Sequence, residues 1–179
     1  MKKNSPAFRA VMIALMAVII TLCSWITIPY VVPFTMQTFA VFCAVMILGG
    51  RLGTAAVGLY ILLGIVGVPV FSGFSGGVGH ILGPTGGYIV GFLFTGLIYM
   101  LGEPLITRKR ALRIVFLIAG LLACYLVGTI WFVIVLGARG TEYGFFAALM
   151  TCVVPYIIPD LVKLLLAMYV STQVRKLLR

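Results

Sequence analysis

The sequence predicts an all-α membrane protein: six transmembrane helices, both termini cytoplasmic, and irregular outer loops over a ligand pocket. Three observations carry this. Of the 179 residues 63% are apolar and 9% charged, against roughly 25% charged in an ordinary soluble domain, so a soluble fold of this size could not cover its own surface. Apolar runs recur along the whole length and a span takes about 20 apolar residues, so residues 1–179 hold six spans as a single polytopic membrane domain. Finally, 13 Lys and Arg stand against 3 Asp and Glu. They lie in short clusters between the apolar runs, which is the pattern of the positive-inside rule and not of a nucleic-acid-binding surface.

The elements follow in order. Span one covers 8–28 and is stopped by Pro29, where a helix loses backbone hydrogen bonds. Its apolar run, Ala10 to Ile28, exceeds the roughly 7–15 residues of a signal-peptide core, so it reads as a retained helix. Span two covers 37–48, with Gly49, Gly50 and Arg51 as a tight turn into span three, 52–68. Pro69 to Thr85 is a long glycine-rich connection whose large apolar side chains set it apart from a flexible linker. Span four covers 86–101, and Glu103 to Arg113 is the densest charge cluster. Span five covers 114–136 and leads into a short loop with Arg139 and Glu142. Tyr143 to Val154 is apolar but too short to cross alone. Span six, 159–177, opens at Pro159, a residue type suited to a first helical turn. With both ends cytoplasmic, Lys2, Lys3, Arg9, Arg51, Arg108, Lys109, Arg110, Arg113, Arg175, Lys176 and Arg179 lie inside, eleven of the thirteen cations; Arg139 and Lys163 lie outside.

Candidate chemistry concentrates on the outer side. Asp160 and Lys163, three residues apart, share one helical face, and ionisable groups in a span usually mark a site when they face the bundle; the bland alternative is an interfacial pair with Lys163 snorkelling to water. The two irregular loops, Pro29 to Thr38 and Pro69 to Thr85, are tolerated at membrane depth only if buried in protein or lining a cavity. Glycines 73, 76, 77, 79, 83, 86 and 87 allow close approach of backbone to a ligand, or simply close packing. Gly83, Gly87 and Gly91 form a small-residue stripe for helix packing, as do Ala10 and Ala14, with Ala17 nearby, in span one; left exposed, the alanines form a docking surface. Trp25, Tyr30 and Trp131 read as an aromatic belt.

Other chemistries find less support. Cys23, Cys43, Cys124 and Cys152 stand singly in apolar stretches, so neither a disulfide framework nor a metal site is indicated. Gly73-Phe74-Ser75-Gly76-Gly77 matches the G-x-S-x-G of a nucleophile elbow and resembles the G-x-S-G of six-span rhomboid intramembrane proteases. The only histidine, His80, however, lies five residues away in the same loop, and span six has none to serve as a base. Neither a phosphate-binding G-x-x-x-x-G-K-[ST] nor H-E-x-x-H occurs, so ATP-driven work falls to partners. A pore-forming or structural protein without ligand is the remaining class.

Four segments, in order and spread over nearly the whole chain, resemble the substrate-capture (S) components of energy-coupling factor (ECF) vitamin transporters, specifically the biotin-specific BioY type. They are Pro33-Phe34-Thr35-Met36-Gln37-Thr38, Gly67-Val68-Pro69-Val70-Phe71, Leu82-Gly83-Pro84-Thr85-Gly86-Gly87-Tyr88 and Pro159-Asp160-Leu161-Val162-Lys163. The resemblance implies a non-enzymatic capture subunit in the bacterial cytoplasmic membrane. Such a subunit binds biotin from outside and no cofactor of its own, and it works with a membrane scaffold protein and two ATPases that use the ATP. It implies Asp160 as acceptor for the ureido N–H groups, with Lys163 donating to the ureido carbonyl or pairing with the carboxylate. Phe34, Phe71 and Tyr88 would then cover the ring system, while Thr35, Gln37, His80 and the backbone at Gly86 and Gly87 complete the contacts. It also makes Ala10 and Ala14 the scaffold-docking face. Capture of a different vitamin is the nearest alternative.

Overall fold

The computed structural model describes residues 5–109, 111–141 and 143–177; the charges at Lys2, Lys3, Arg110, Glu142 and Arg179 lie outside the described residues. Helix α1 spans Pro6–Trp25. Its start is set by Ser5, whose hydroxyl accepts from the Phe8 N–H at 3.2 Å, and by proline in the first turn. It ends three residues before the expected boundary. The β-branched Thr27–Ile28 forms a strand, β1, that pairs antiparallel with β2, Phe34–Thr35, with Thr27 opposite Thr35 and Ile28 opposite Phe34. The first connection, expected to be irregular, is therefore a short hairpin.

Helix α2, Gln37–Leu48, is buried on nearly all sides, as its all-round apolar sequence requires. It contacts α1, α3, α5 and α8 and so forms the centre of the bundle. Gly49 turns the chain with φ of 86°, open to glycine at little cost. Helix α3, Gly50–Ile65, follows at once, its first residue seated against the Met100 backbone. The Gly50 N–H donates to Glu103 Oε1 at 3.3 Å, placing a carboxylate at the start of α3.

The 69–85 connection carries a 3₁₀ turn at Ser72–Phe74 and a single-turn helix α4, Val78–Ile81. Helices α5, Gly86–Arg108, and α6, Leu112–Ala138, form the most extensive pair. Their seam is cut by small residues: Gly87 lies under Trp131, Gly91 against Cys124, and Gly128 under the Tyr88 ring, the packing expected of a glycine stripe. The cluster Glu103 to Arg108, expected in a loop, continues α5 through Pro104. Helix α7, Phe145–Cys152, is the expected short segment, and α8 runs Val154–Leu177. Pro159 does not open α8. Pro155 occupies its first turn and Pro159 lies one turn deeper, where its missing N–H leaves the Pro155 carbonyl without an intrahelical donor.

Helices α1, α5, α6 and α8 are long and apolar enough to cross a membrane, whereas α2 and α3 have 12 and 16 residues. At 1.5 Å per residue these reach about 18 and 24 Å, short of a bilayer core of about 30 Å. Arg9, Arg51, Arg108, Lys109, Arg113, Arg175 and Lys176 sit at the helix ends gathered at one end of the bundle. The hairpin, the 69–85 connection and α7 gather at the other.

Candidate ligand-binding site

At the end opposite the basic cluster the elements converge on a cavity that opens at the bundle end. The hairpin contributes Val32, Pro33 and Thr35, and the start of α2 contributes Gln37 and Thr38. The second loop supplies Ser72, His80 and Thr85; α5 supplies Tyr88, Ile89 and Phe92. Leu121, Cys124 and Tyr125 of α6, Cys152 of α7, and Tyr156, Asp160 and Lys163 of α8 close the wall.

Asp160 and Lys163 are each only 4% exposed, so Lys163 does not snorkel to water. Lys163 Nζ lies 2.8 Å from Asp160 Oδ1 and 3.9 Å from the centre of the Phe34 ring, a cation–π contact that holds the ammonium where water is scarce. Tyr125 Oη donates to Asp160 Oδ2 at 2.6 Å. Phe34 stacks on Tyr156 at 6.2 Å, and the Tyr156 hydroxyl donates to the Val32 carbonyl, which ties the hairpin to α8.

The facing wall is neutral. Gln37 Nε2 donates to Tyr60 Oη at 2.6 Å, the Tyr60 ring meets Phe71 edge-on at 5.5 Å, and Phe71 stacks on His80 at 5.1 Å. Thr35 Oγ1 accepts from the Gln37 N–H, and Tyr88 Oη lies 3.2 Å from Thr129 Oγ1. Partial burial lowers the His80 pKa below its ordinary 6.5.

Asp160, Lys163, Tyr88, Thr35, Gln37 and His80 are thus brought to one cavity, as the sequence suggests. Four others are placed differently. Phe34 stands behind Lys163 and borders an outer groove with Ile28, Tyr30, Pro155 and Tyr156. Phe71 is fully buried behind His80, in space that Gly64 leaves open. Gly86 rests on the Ile81 backbone and Gly87 beneath Trp131, so both glycines serve helix packing and neither lines the cavity. Tyr125, Tyr156 and Ser72 join the wall with no sequence motif to mark them, and Cys124 and Cys152 stand in it as free thiols. A tyrosine hydroxyl in the middle of an apolar helix was the available signal for Tyr125, since such a group needs a partner.

The two tryptophans do more than mark an interface. Trp25 Nε1 donates to the Pro69 carbonyl at 3.0 Å, Trp131 Nε1 to Gly83 at 2.9 Å, and Ser24 Oγ to Val70 at 2.5 Å, which pins the second loop at three points. Ser75, the candidate nucleophile, donates instead to the Ser72 carbonyl at 2.7 Å. His80 keeps its ring on Phe71.

Fold and site together define a multi-pass membrane protein with a small-molecule cavity at one end, walled by a buried ion pair on one side and neutral polar groups on the other. The BioY family model matches residues 1–179, and the chain belongs to the BioY family. It is 40% identical over 144 residues, 80% of this chain and 81% of the relative, to a probable biotin transporter BioY of Pyrococcus horikoshii. To the biotin transporter BioY of Thermotoga maritima it is 36% identical over 155 residues, 86% and 88% of the two chains. The structure of the S-component for biotin from an ECF-type ABC transporter superposes with a TM-score of 0.84 at 26% identity, covering 98% of this chain and 95% of that one.

Proposed function

We propose that the chain captures biotin and serves as the substrate-binding subunit of an ECF-type transporter, with uptake driven by ATP hydrolysed on partner subunits. The observation that carries this is the Asp160–Lys163 pair, buried in a cavity wall. Burying two charges is costly, and a site that offers acceptors and donors side by side without net charge suits a cyclic urea. In this reading Asp160 accepts from the ureido N–H groups and Lys163 donates to the carbonyl, while Tyr88, Thr35, Gln37 and His80 enclose the rest of the molecule. The relatives, described as biotin transporters, support the same cargo.

The remaining architecture follows from the same reading. Six spans, with α2 and α3 completed by their flanking turns, place both termini and the basic end in the cytoplasm by the positive-inside rule. Ala10 and Ala14 lie on an exposed face of α1 beside Val11 and Val18, which supports their use as the docking surface for a scaffold membrane protein that carries two ATPases. Calorimetry of the purified protein with biotin and a panel of other vitamins tests the cargo. Saturable binding of biotin alone is expected, and binding of another vitamin with none of biotin overturns the assignment.

A further inference from the structure

We infer that Tyr125 is a positioning residue that sets the ligand preference of the site by orienting Asp160; this rests on the biotin reading above. Three elements meet here: Tyr125 comes from α6, Asp160 and Lys163 from α8, and Phe34 from β2. Both carboxylate oxygens hold one donor each, Lys163 on Oδ1 at 2.8 Å and Tyr125 on Oδ2 at 2.6 Å. An ionised carboxylate has about four acceptor positions, so each oxygen keeps one while the plane of the group is fixed from two sides.

The tyrosine proton is committed to Asp160, and Tyr125 itself lines the cavity. Its oxygen therefore meets a ligand as an acceptor. Lys163, drawn between Asp160 and the Phe34 ring, is the donor on this wall. The wall thus presents a cluster of acceptors beside one cationic donor, a pattern that selects neighbouring N–H groups next to a carbonyl. A site built to satisfy ligand N–H groups rejects analogues that lack them, because its own polar atoms are then left unpaired. Without the tyrosine hydroxyl the carboxylate turns on Lys163 alone, and the selection loosens.

The experiment is a binding cycle by calorimetry on wild type, Tyr125→Phe, Asp160→Asn and the double variant, using biotin and a biotin analogue methylated on a ureido nitrogen. Tyr125→Phe is expected to weaken biotin about tenfold or more, the size of one hydrogen bond to a charged group. Its effect on the methylated analogue is expected to be much smaller, so that the preference narrows, and in the Asp160→Asn background it should add little. If Tyr125→Phe does not accumulate as folded protein, Tyr125→Leu, which also lacks the donor, takes its place in the same cycle. Equal losses for both ligands, or additive losses in the double variant, overturn the positioning role. If Asp160→Asn leaves biotin binding intact, the ureido assignment fails with it; if Asp160→Asn weakens binding and the Tyr125 variants do not, only the inference about Tyr125 fails.

Discussion

Asp160 concentrates the chemistry of the cavity in one side chain, held by donors from two helices. Asp160→Asn replaces an acceptor oxygen by an amide that donates toward Lys163. Loss of one charge-assisted hydrogen bond corresponds to about 1.5–3 kcal/mol, so biotin affinity is expected to fall about tenfold or more, read by titration calorimetry, with the helical fold retained by circular dichroism. His80 gives a different signal. Its pKa in the folded protein lies below the ordinary 6.5 because burial disfavours the charged ring, so the unfolded chain binds more protons as the pH drops through that value. Stability contributed by the neutral ring is full above about pH 6.5 and is lost as the pH falls toward the folded-state pKa. The chain has one histidine and three acidic residues, so few groups compete in that range. The melting temperature in detergent is expected to decline as the pH falls below about 6.5, and His80→Asn is expected to flatten the decline; an unchanged slope counts against His80 as its source.

At the scale of elements, the two segments over the cavity hold the shortest regular structure of the fold. The hairpin is two residues per strand, and the 69–85 connection has helical turns of three and four residues, both below the length of independently stable structure. Bound biotin is expected to slow hydrogen exchange at residues 29–38 and 69–85 relative to the α5–α6 pair; equal exchange with and without ligand tells against closure over the vitamin. The long helices were legible in sequence because twenty apolar residues in a row have few other solutions. Asp160 and Lys163 were legible because charge within a span needs a reason. The ends were less so: Ile26 to Ile28 are as apolar as the helix before them, and only pairing with Phe34–Thr35 ends α1 at Trp25. Gly86 and Gly87 show the limit most clearly. Glycine signals that something comes close, and sequence does not say whether that is a ligand or, as here, Ile81 and Trp131.

For the whole molecule, the proposed capture and coupling are separable because the cavity and the Ala10–Ala14 face lie at opposite ends of α1. Ala10 and Ala14 are exposed near the start of α1, far along the helix from Trp25 and the loops of the cavity. Ala10→Leu with Ala14→Leu is expected to abolish ATP-driven biotin uptake and co-purification with the scaffold protein while leaving equilibrium binding by the isolated chain unchanged; loss of binding alongside uptake marks them as internal packing positions. The same helix joins the two ends mechanically. Its C-terminal end is bonded to the second loop through Ser24 to Val70 and Trp25 to Pro69, directly before Phe71 and the stretch that carries His80. Helix α1 has 20 residues and is therefore a lever arm of about 30 Å. Pivoted at its alanine end, a tilt of ~10° swings the far end by ~5 Å, more than a hydrogen bond of about 3 Å can stretch to accommodate. Either those bonds break or the loop travels with the helix, and in the second case a force applied at the alanines reaches the mouth of the cavity.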